Sequence, residues 1–208
     1  VLEPCSTGLG GDCFMLYYEA STKKVHALNG SGMAPAALTL ERCVADLAHS
    51  KTKSGATDPE EEKTPPSILE IPPHHPHAVT VPGAAAGWCD AVSSFGSGKV
   101  SLSQLMEPAA VLAEEGFPVS SITAHHWDLC SYQLETGPHG AALLMPNGKA
   151  PETGDVFRNP DMAGVLRELG AGGKEAFYGG RIGDAMVEML RELGGVLTTE
   201  DLKARNTC

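Results

Sequence analysis

Two histidine clusters, six cysteines, a glycine-paved turn ending in an aspartate, and scattered threonines are the groups in this 208-residue chain that could do chemistry. His74-His75-Pro76-His77 and His125-His126 offer imidazole, a common metal ligand. The first cluster has a proline inside it, and no cysteine or carboxylate stands where it would complete a ligand set, so no metal site is assigned. His125 and His126, adjacent on a helix, point in different directions, and one at most could serve a given centre. Cys5, Cys13, Cys43, Cys89, Cys130 and Cys208 form no C-x-x-C pair and no zinc-finger spacing. They read as structural thiols rather than disulfides, because a chain of this size can be held by its core, and this leans toward a reducing, cytoplasmic address. Gly8-x-Gly10-Gly11 lacks the third glycine of a dinucleotide loop and leads into a strand instead of a helix, so no nucleotide cofactor is expected, and none of any other kind. Asp12 could act as an acid or base, but its place after the glycines favours a turn or capping role.

Short elements must position these groups. An apolar strand is expected over Cys13–Tyr18, a turn at Ser21-Thr22-Lys23-Lys24, a return strand over Val25–Leu28, a third strand over Ala78–Val81 and a fourth over Leu143–Met145. Thr39 can cap a helix running through Arg42, Val44, Leu47 and Ala48. Ser101 with Gln104 forms a capping box before Leu105 and Met106; Pro108 kinks or restarts that helix and Gly116 ends it. Asn159-Pro160 supplies an N-cap with proline at the first helical position, followed by the apolar stripe Met162, Val165, Leu166 and Leu169, closed by Gly170. Ile182, Met186, Met189, Leu190 and Leu193 repeat the pattern, and Thr198 with Asp201 caps one more helix.

Composition fits a globular α/β or α+β protein: 42% of residues are hydrophobic and 20% charged, enough to bury a core. A net charge of −11 argues against a nucleic-acid surface, which needs clustered Lys and Arg. No run of about 18 apolar residues exists to form a membrane-spanning segment. Val1-Leu2-Glu3-Pro4 is neither an initiator Met nor a signal peptide, so the chain is expected to begin mid-protein, with any targeting segment outside it. From Ser50 to His77, Lys, Thr, Ser, Pro and Glu dominate around Asp58-Pro59-Glu60-Glu61-Glu62. Such a stretch buries too little apolar surface to offset ordering entropy, and residues 50–77 are expected to be a disordered insertion in a single domain spanning 1–208.

Four collinear segments carry a resemblance. Thr7-Gly8-Leu9-Gly10-Gly11-Asp12 leads into the first strand and is followed by Leu28-Asn29-Gly30-Ser31-Gly32-Met33-Ala34-Pro35. Val79-Thr80-Val81-Pro82-Gly83-Ala84-Ala85-Ala86-Gly87-Trp88 joins an apolar strand to a helix. Pro108 to Ala113 with Glu115-Gly116-Phe117-Pro118-Val119 comes next. Ala176-Phe177-Tyr178-Gly179-Gly180 and Leu193-Gly194-Gly195-Val196-Leu197-Thr198-Thr199-Glu200-Asp201-Leu202 complete the order. Together they resemble the central part of the large subunit of the γ-glutamyltranspeptidase (glutathione hydrolase) family, closest to its branch with Asn-Gly-Ser-Gly in the first loop.

The resemblance implies a portion of an αββα N-terminal-nucleophile hydrolase sandwich, incomplete at both ends. It also implies an autoproteolytic precursor that cleaves γ-glutamyl or related acyl amides and passes the acyl group to water or an amino acid. The family's nucleophile is a threonine freed at the start of the small subunit, whose own amine can act as base. Thr7, Thr80, Thr198 and Thr207 do not open such a strand, so no catalytic residue is expected in this chain and its partner would be the small-subunit portion. Asn29, Ser31 and Met33 take the substrate-loop positions by resemblance. Ser31 stands where the glutathione-cleaving branch has an arginine for the substrate α-carboxylate, and neither Ser31 nor Met33 can form that bidentate pair. Arg42, Arg158, Arg167, Arg181, Arg191 and Arg205 are the cations available to replace it. A truncated, non-catalytic homologue acting as a binding or regulatory protein is the alternative reading.

Overall fold

Strands β1 (Cys13–Glu19) and β2 (Lys24–Gly30) form an antiparallel hairpin in which Cys13 faces Gly30 and Glu19 faces Lys24. The structure is a computed structural model describing residues 1–4, 6, 8–53, 71–72, 75–136 and 139–204. Side chains alternate across the hairpin as the pleat requires. Cys13, Met15 and Tyr17 turn inward, while Phe14, Leu16 and Tyr18 are 68%, 78% and 59% exposed. Helix α1 (Leu40–Lys53) follows, with the Arg42 amide donating to Thr39 Oγ1 at its start, and helix α2 (Ala84–Phe95) covers the inner face of the hairpin. Phe95 of α2 stacks on Tyr17 at 4.9 Å and on His26 at 5.3 Å between ring centroids. A two-stranded hairpin is marginal alone, and this apolar cover stabilises it.

Helix α3 (Leu102–Glu115) begins with the Ser101/Gln104 capping box, passes through Pro108 and ends at Gly116, whose φ is 99°. Two-residue strands β3 (Phe117–Pro118) and β4 (Val156–Phe157) flank α4 (Ser121–Thr136) in the chain and pair with each other. Helix α5 (Pro160–Tyr178) starts at the Asn159 cap, α6 (Arg181–Glu192) is strongly amphipathic, and α7 (Thr199–Lys203) opens with the Thr198/Asp201 capping box. The main core joins α2, α3, α5, α6 and α7 through Ala85, Ala110, Leu166, Leu169, Ile182 and Leu202. A second cluster gathers Phe117, Val119, Trp127 and Phe157 around β3 and β4. Arg167 of α5 reaches both Glu107 and Glu114 of α3, and Lys174 of α5 pairs with Asp90 of α2.

Three expectations change. Ala78–Val81 is not a strand: Pro76–Ala78 form a 3₁₀ turn, Val79 is exposed, and only Val81 makes a bridge, to Met33. Leu143–Met145 is not one either, since a 3₁₀ turn fills Gly140–Leu143 and the Met145 amide closes a loop onto the Lys149 carbonyl. Gly170 does not end its helix. A Cβ there would lie 3.0 Å from Ser103 Cα, so this glycine lets α5 approach α3, and the break falls at Gly173 with φ 59° and ψ −144°.

The expected insertion over 50–77 lies outside the described residues for 54–70, 73 and 74. At its ends α1 continues to Lys53, and His77 is buried. The His77 ring donates from Nε2 to Asp46 Oδ2 at 2.9 Å, and Arg42 Nε donates to the same oxygen at 2.6 Å. These bonds, Arg42 first and then His77, hold the Asp46 carboxyl below the ordinary aspartate value of 3.8. A carboxylate made more acidic by folding stabilises the fold above its ordinary value and loses that contribution as pH falls through the depressed one. Asp46→Asn is therefore expected to be less stable than wild type at neutral pH, with the difference closing as pH drops below 3.8. Urea titrations over a pH series check this, and a difference that stays constant into acid would refute it.

Candidate functional site

The loop after β2 is built by close approach of backbones. The Gly11 carbonyl accepts from both Gly83 and Ala84 amides, at 3.0 and 2.9 Å, which seats the Pro82-Gly83 turn on the glycine cluster before β1. A Cβ on Gly30 would lie 2.7 Å from the Cys13 carbonyl oxygen, and one on Gly32 would lie 2.0 Å from Thr80 Oγ1. Only glycine fits at either place. The Val81 amide then donates to the Met33 carbonyl at 2.9 Å.

Side chains complete the restraint. Asn29 Oδ1 accepts from the Ser31 amide at 2.9 Å, a local Asx turn. Asp12 Oδ1 accepts from the Gly32 amide at 2.7 Å, twenty residues away. Asp201 Oδ1 accepts from the Ala36 amide at 2.9 Å while its Oδ2 serves the Thr198 cap. Burial opposes ionisation of Asp201, but the bonds from Ala36 and Thr198 outweigh it and hold the carboxyl below the usual range. Beneath the loop, Tyr178 Oη donates to the Pro82 carbonyl at 2.7 Å and accepts from the Ala86 amide at 3.0 Å. Its N-cap, Gly83, offers α2 no side-chain acceptor, so the phenol oxygen caps that helix from outside.

The three loop residues expected from the sequence thus fall in one short, restrained segment. Asn29 and Met33 are exposed and Ser31 is half-buried. A hollow of about 370 Å³ along the outward hairpin face runs from Phe14 and Leu16 to Asn29. The larger apolar cavity, about 580 Å³ between Trp88, Leu105, Leu112 and Met162, is lined by none of the loop residues. The sequence marked the glycines and Asp12; it did not mark the bonds from Asp201 and Tyr178, whose partners lie 165 and 92 to 96 residues away.

The other chemical groups go elsewhere. Arg42 pairs with Asp46, Arg158 donates to the Glu115 carbonyl, Arg167 reaches Glu107 and Glu114, and Arg181 pairs with Glu168. Arg191 lies in the last turn of α6, and Arg205 is outside the described residues. His75 and His77 stack at 4.6 Å, with His77 engaged by Asp46; His125 and His126 are exposed on α4. Cys43, Cys89 and Cys130 are free thiols, and burial pushes the Cys89 thiol up, away from reactivity. Among the described residues no helix is long and apolar enough to cross a membrane.

Comparison with known proteins agrees with this architecture. The γ-glutamyltranspeptidase family profile matches residues 1–207. The glutathione hydrolase-like YwrD proenzyme of Bacillus subtilis is 31% identical over 204 residues, covering 98% of this chain and 34% of that protein. The crystal structure of cephalosporin acylase from Bacillus halodurans superposes with a TM-score of 0.81 at 32% identity, covering all of this chain and 36% of the other. The Helicobacter pylori γ-glutamyltranspeptidase shares the fold, with a TM-score of 0.78 at 24% identity over all of this chain and 54% of its own. The chain belongs to the γ-glutamyltranspeptidase family of N-terminal-nucleophile hydrolases and represents part of the large-subunit fold. It spans about a third of the length of the curated relatives it matches.

Proposed function

We propose that these residues form the large-subunit core of an amidohydrolase that cleaves γ-glutamyl or related acyl amides, with the attacking threonine supplied by a small-subunit portion. The observation that carries this reading is the restrained Asn29–Pro35 loop, set at the end of a hairpin whose outward face is apolar and exposed. In this reading the small-subunit portion covers Phe14, Leu16 and Tyr18 and brings its threonine to the loop. An exposed apolar sheet face of this kind favours burial against a partner. The threonine hydroxyl attacks the amide carbonyl, its own amine takes the proton, the amine product leaves, and water or an amino acid resolves the acyl-enzyme. This chain contributes the shape of the acyl pocket and the loop that reads the acyl group.

Asn29, Ser31 and Met33 are the proposed acyl-contacting residues. With Ser31 in place of a cation, acyl groups without an α-carboxylate, such as 4-aminobutyryl, fit better than γ-glutamyl. The naming of one similar structure as a cephalosporin acylase supports an acyl-amide rather than strictly glutathione-directed reading.

The test compares the purified 208-residue polypeptide with the complete protein carrying it, using γ-glutamyl and 4-aminobutyryl anilides. The polypeptide alone is expected to release no chromophore above a heat-killed control, and the complete protein to turn over at least one of the two. Turnover by the polypeptide alone, or none by the complete protein after self-cleavage, would overturn the proposal.

A further inference from the structure

The loop carrying Ser31 and Met33 is gripped by two carboxylates drawn from opposite ends of the chain. Asp12, just before β1, takes the Gly32 amide at 2.7 Å; Asp201, in α7, takes the Ala36 amide at 2.9 Å. Hydrogen bonds from backbone amides to ionised carboxylates are shorter and stronger than neutral ones. Both bonded amides belong to the loop, and neither bond is part of a helix or ladder, so neither is needed to complete an element. Gly32 lies flush on Thr80, with the Met33–Val81 bridge beside it. The Asp12 bond fixes the peptide between Ser31 and Gly32 and so the direction in which the Ser31 side chain projects. The Asp201 bond fixes the exit of the loop after Pro35, which is buried.

We infer that Asp12 and Asp201 are positioning residues that hold the Gly30–Ala36 loop in its acyl-reading conformation. They act through the loop and not on the reacting atoms. This rests on the function proposed above. Held this way, the loop meets the acyl group without first being ordered, and ordering at the moment of binding would otherwise weaken affinity.

The two residues differ in what an amide can replace. Asp12→Asn keeps an oxygen for the Gly32 amide and should behave nearly as wild type. Asp201→Asn keeps one oxygen but turns an NH₂ toward the Thr198 amide or the Ala36 amide, two donors facing one another. It should rescue only in part.

The experiment uses the complete protein carrying this segment, after self-cleavage, with Asp12→Ala, Asp12→Asn, Asp201→Ala and Asp201→Asn. Steady-state kinetics on whichever acyl anilide wild type prefers are paired with hydrogen exchange of peptides spanning residues 30–36. Each alanine variant is expected to raise KM roughly tenfold or more with kcat changed less than about threefold, and to speed exchange in the loop while the core stays protected. Asp12→Asn is expected to restore both readings. Loop exchange unchanged in the alanine variants overturns the inference, as does faster loop exchange with an unchanged KM. So does a fall in kcat alone, or a loss of protection spread across the core. A wild type that cleaves neither anilide overturns the proposed function instead, and loop exchange then decides alone whether the two carboxylates hold the loop.

Discussion

Ser31→Arg in the complete protein is expected to raise the specificity-constant ratio for γ-glutamyl over 4-aminobutyryl anilide, which differs from it only by the missing α-carboxylate, by about 30-fold to a few thousand-fold. That range corresponds to the roughly 2–5 kcal/mol associated with a buried charged hydrogen-bond partner. The structure bears on the size of the effect. Ser31 is half-buried, so a guanidinium projecting from it is partly shielded from water, and the Asn29 and Asp12 bonds hold the backbone beneath it. The arginines contacting Asp46, Glu115, Glu107, Glu114 and Glu168 are engaged by those groups. The change should appear in KM for the γ-glutamyl substrate, because the carboxylate is bound in the ground state as well as the transition state. A wild type that already prefers γ-glutamyl strongly, with the ratio unmoved by Ser31→Arg, would place carboxylate recognition elsewhere.

Tyr178→Phe is expected to destabilise the fold by several times the cost of an ordinary surface substitution. The phenol is 4% exposed, and its oxygen serves the Pro82 carbonyl and the Ala86 amide together. Phenylalanine fills the same volume but leaves a buried acceptor and the third amide of α2 without their partner. Each unpaired group costs about 1–3 kcal/mol. The two share one hydroxyl, so their costs need not add. Urea unfolding of the complete protein measures the loss as a lower midpoint at unchanged slope. A loss under about 0.5 kcal/mol, the size of a typical surface change, would mean that water or a backbone shift replaces the phenol.

What the sequence made legible depended on how local the signal was. Ser101 with Gln104, Asn159 with Met162 and Thr198 with Asp201 place donor and acceptor within four residues of each other, and each cap forms. The first hairpin was legible because an apolar strand, a polar turn and a return strand follow in order. Strands β3 and β4 were not, because two residues leave no period to detect and their partners stand forty residues apart. Gly170 misled because a glycine after an apolar stripe reads as a helix stop, whereas here its missing side chain makes room for α3. The loop residues came from the family resemblance, and their neighbours explain the glycines between them. The role of Asp201 was half visible: its cap was written locally, but its second oxygen answers an amide 165 residues away.

That separation has a bearing on how the molecule is made. The hairpin needs only contacts between near neighbours, and can form before the later helices are made. The start of α2 then waits for Tyr178, and the exit of the loop waits for Asp201. Long-range contacts such as these form late, because a large stretch of chain must close before they return any stabilisation. The loop after β2 is therefore among the earlier parts of this segment to be synthesised and among the last to reach its final shape. Meanwhile Phe14, Leu16 and Tyr18 emerge early and stay exposed on the hairpin, a period in which association with other chains competes with folding.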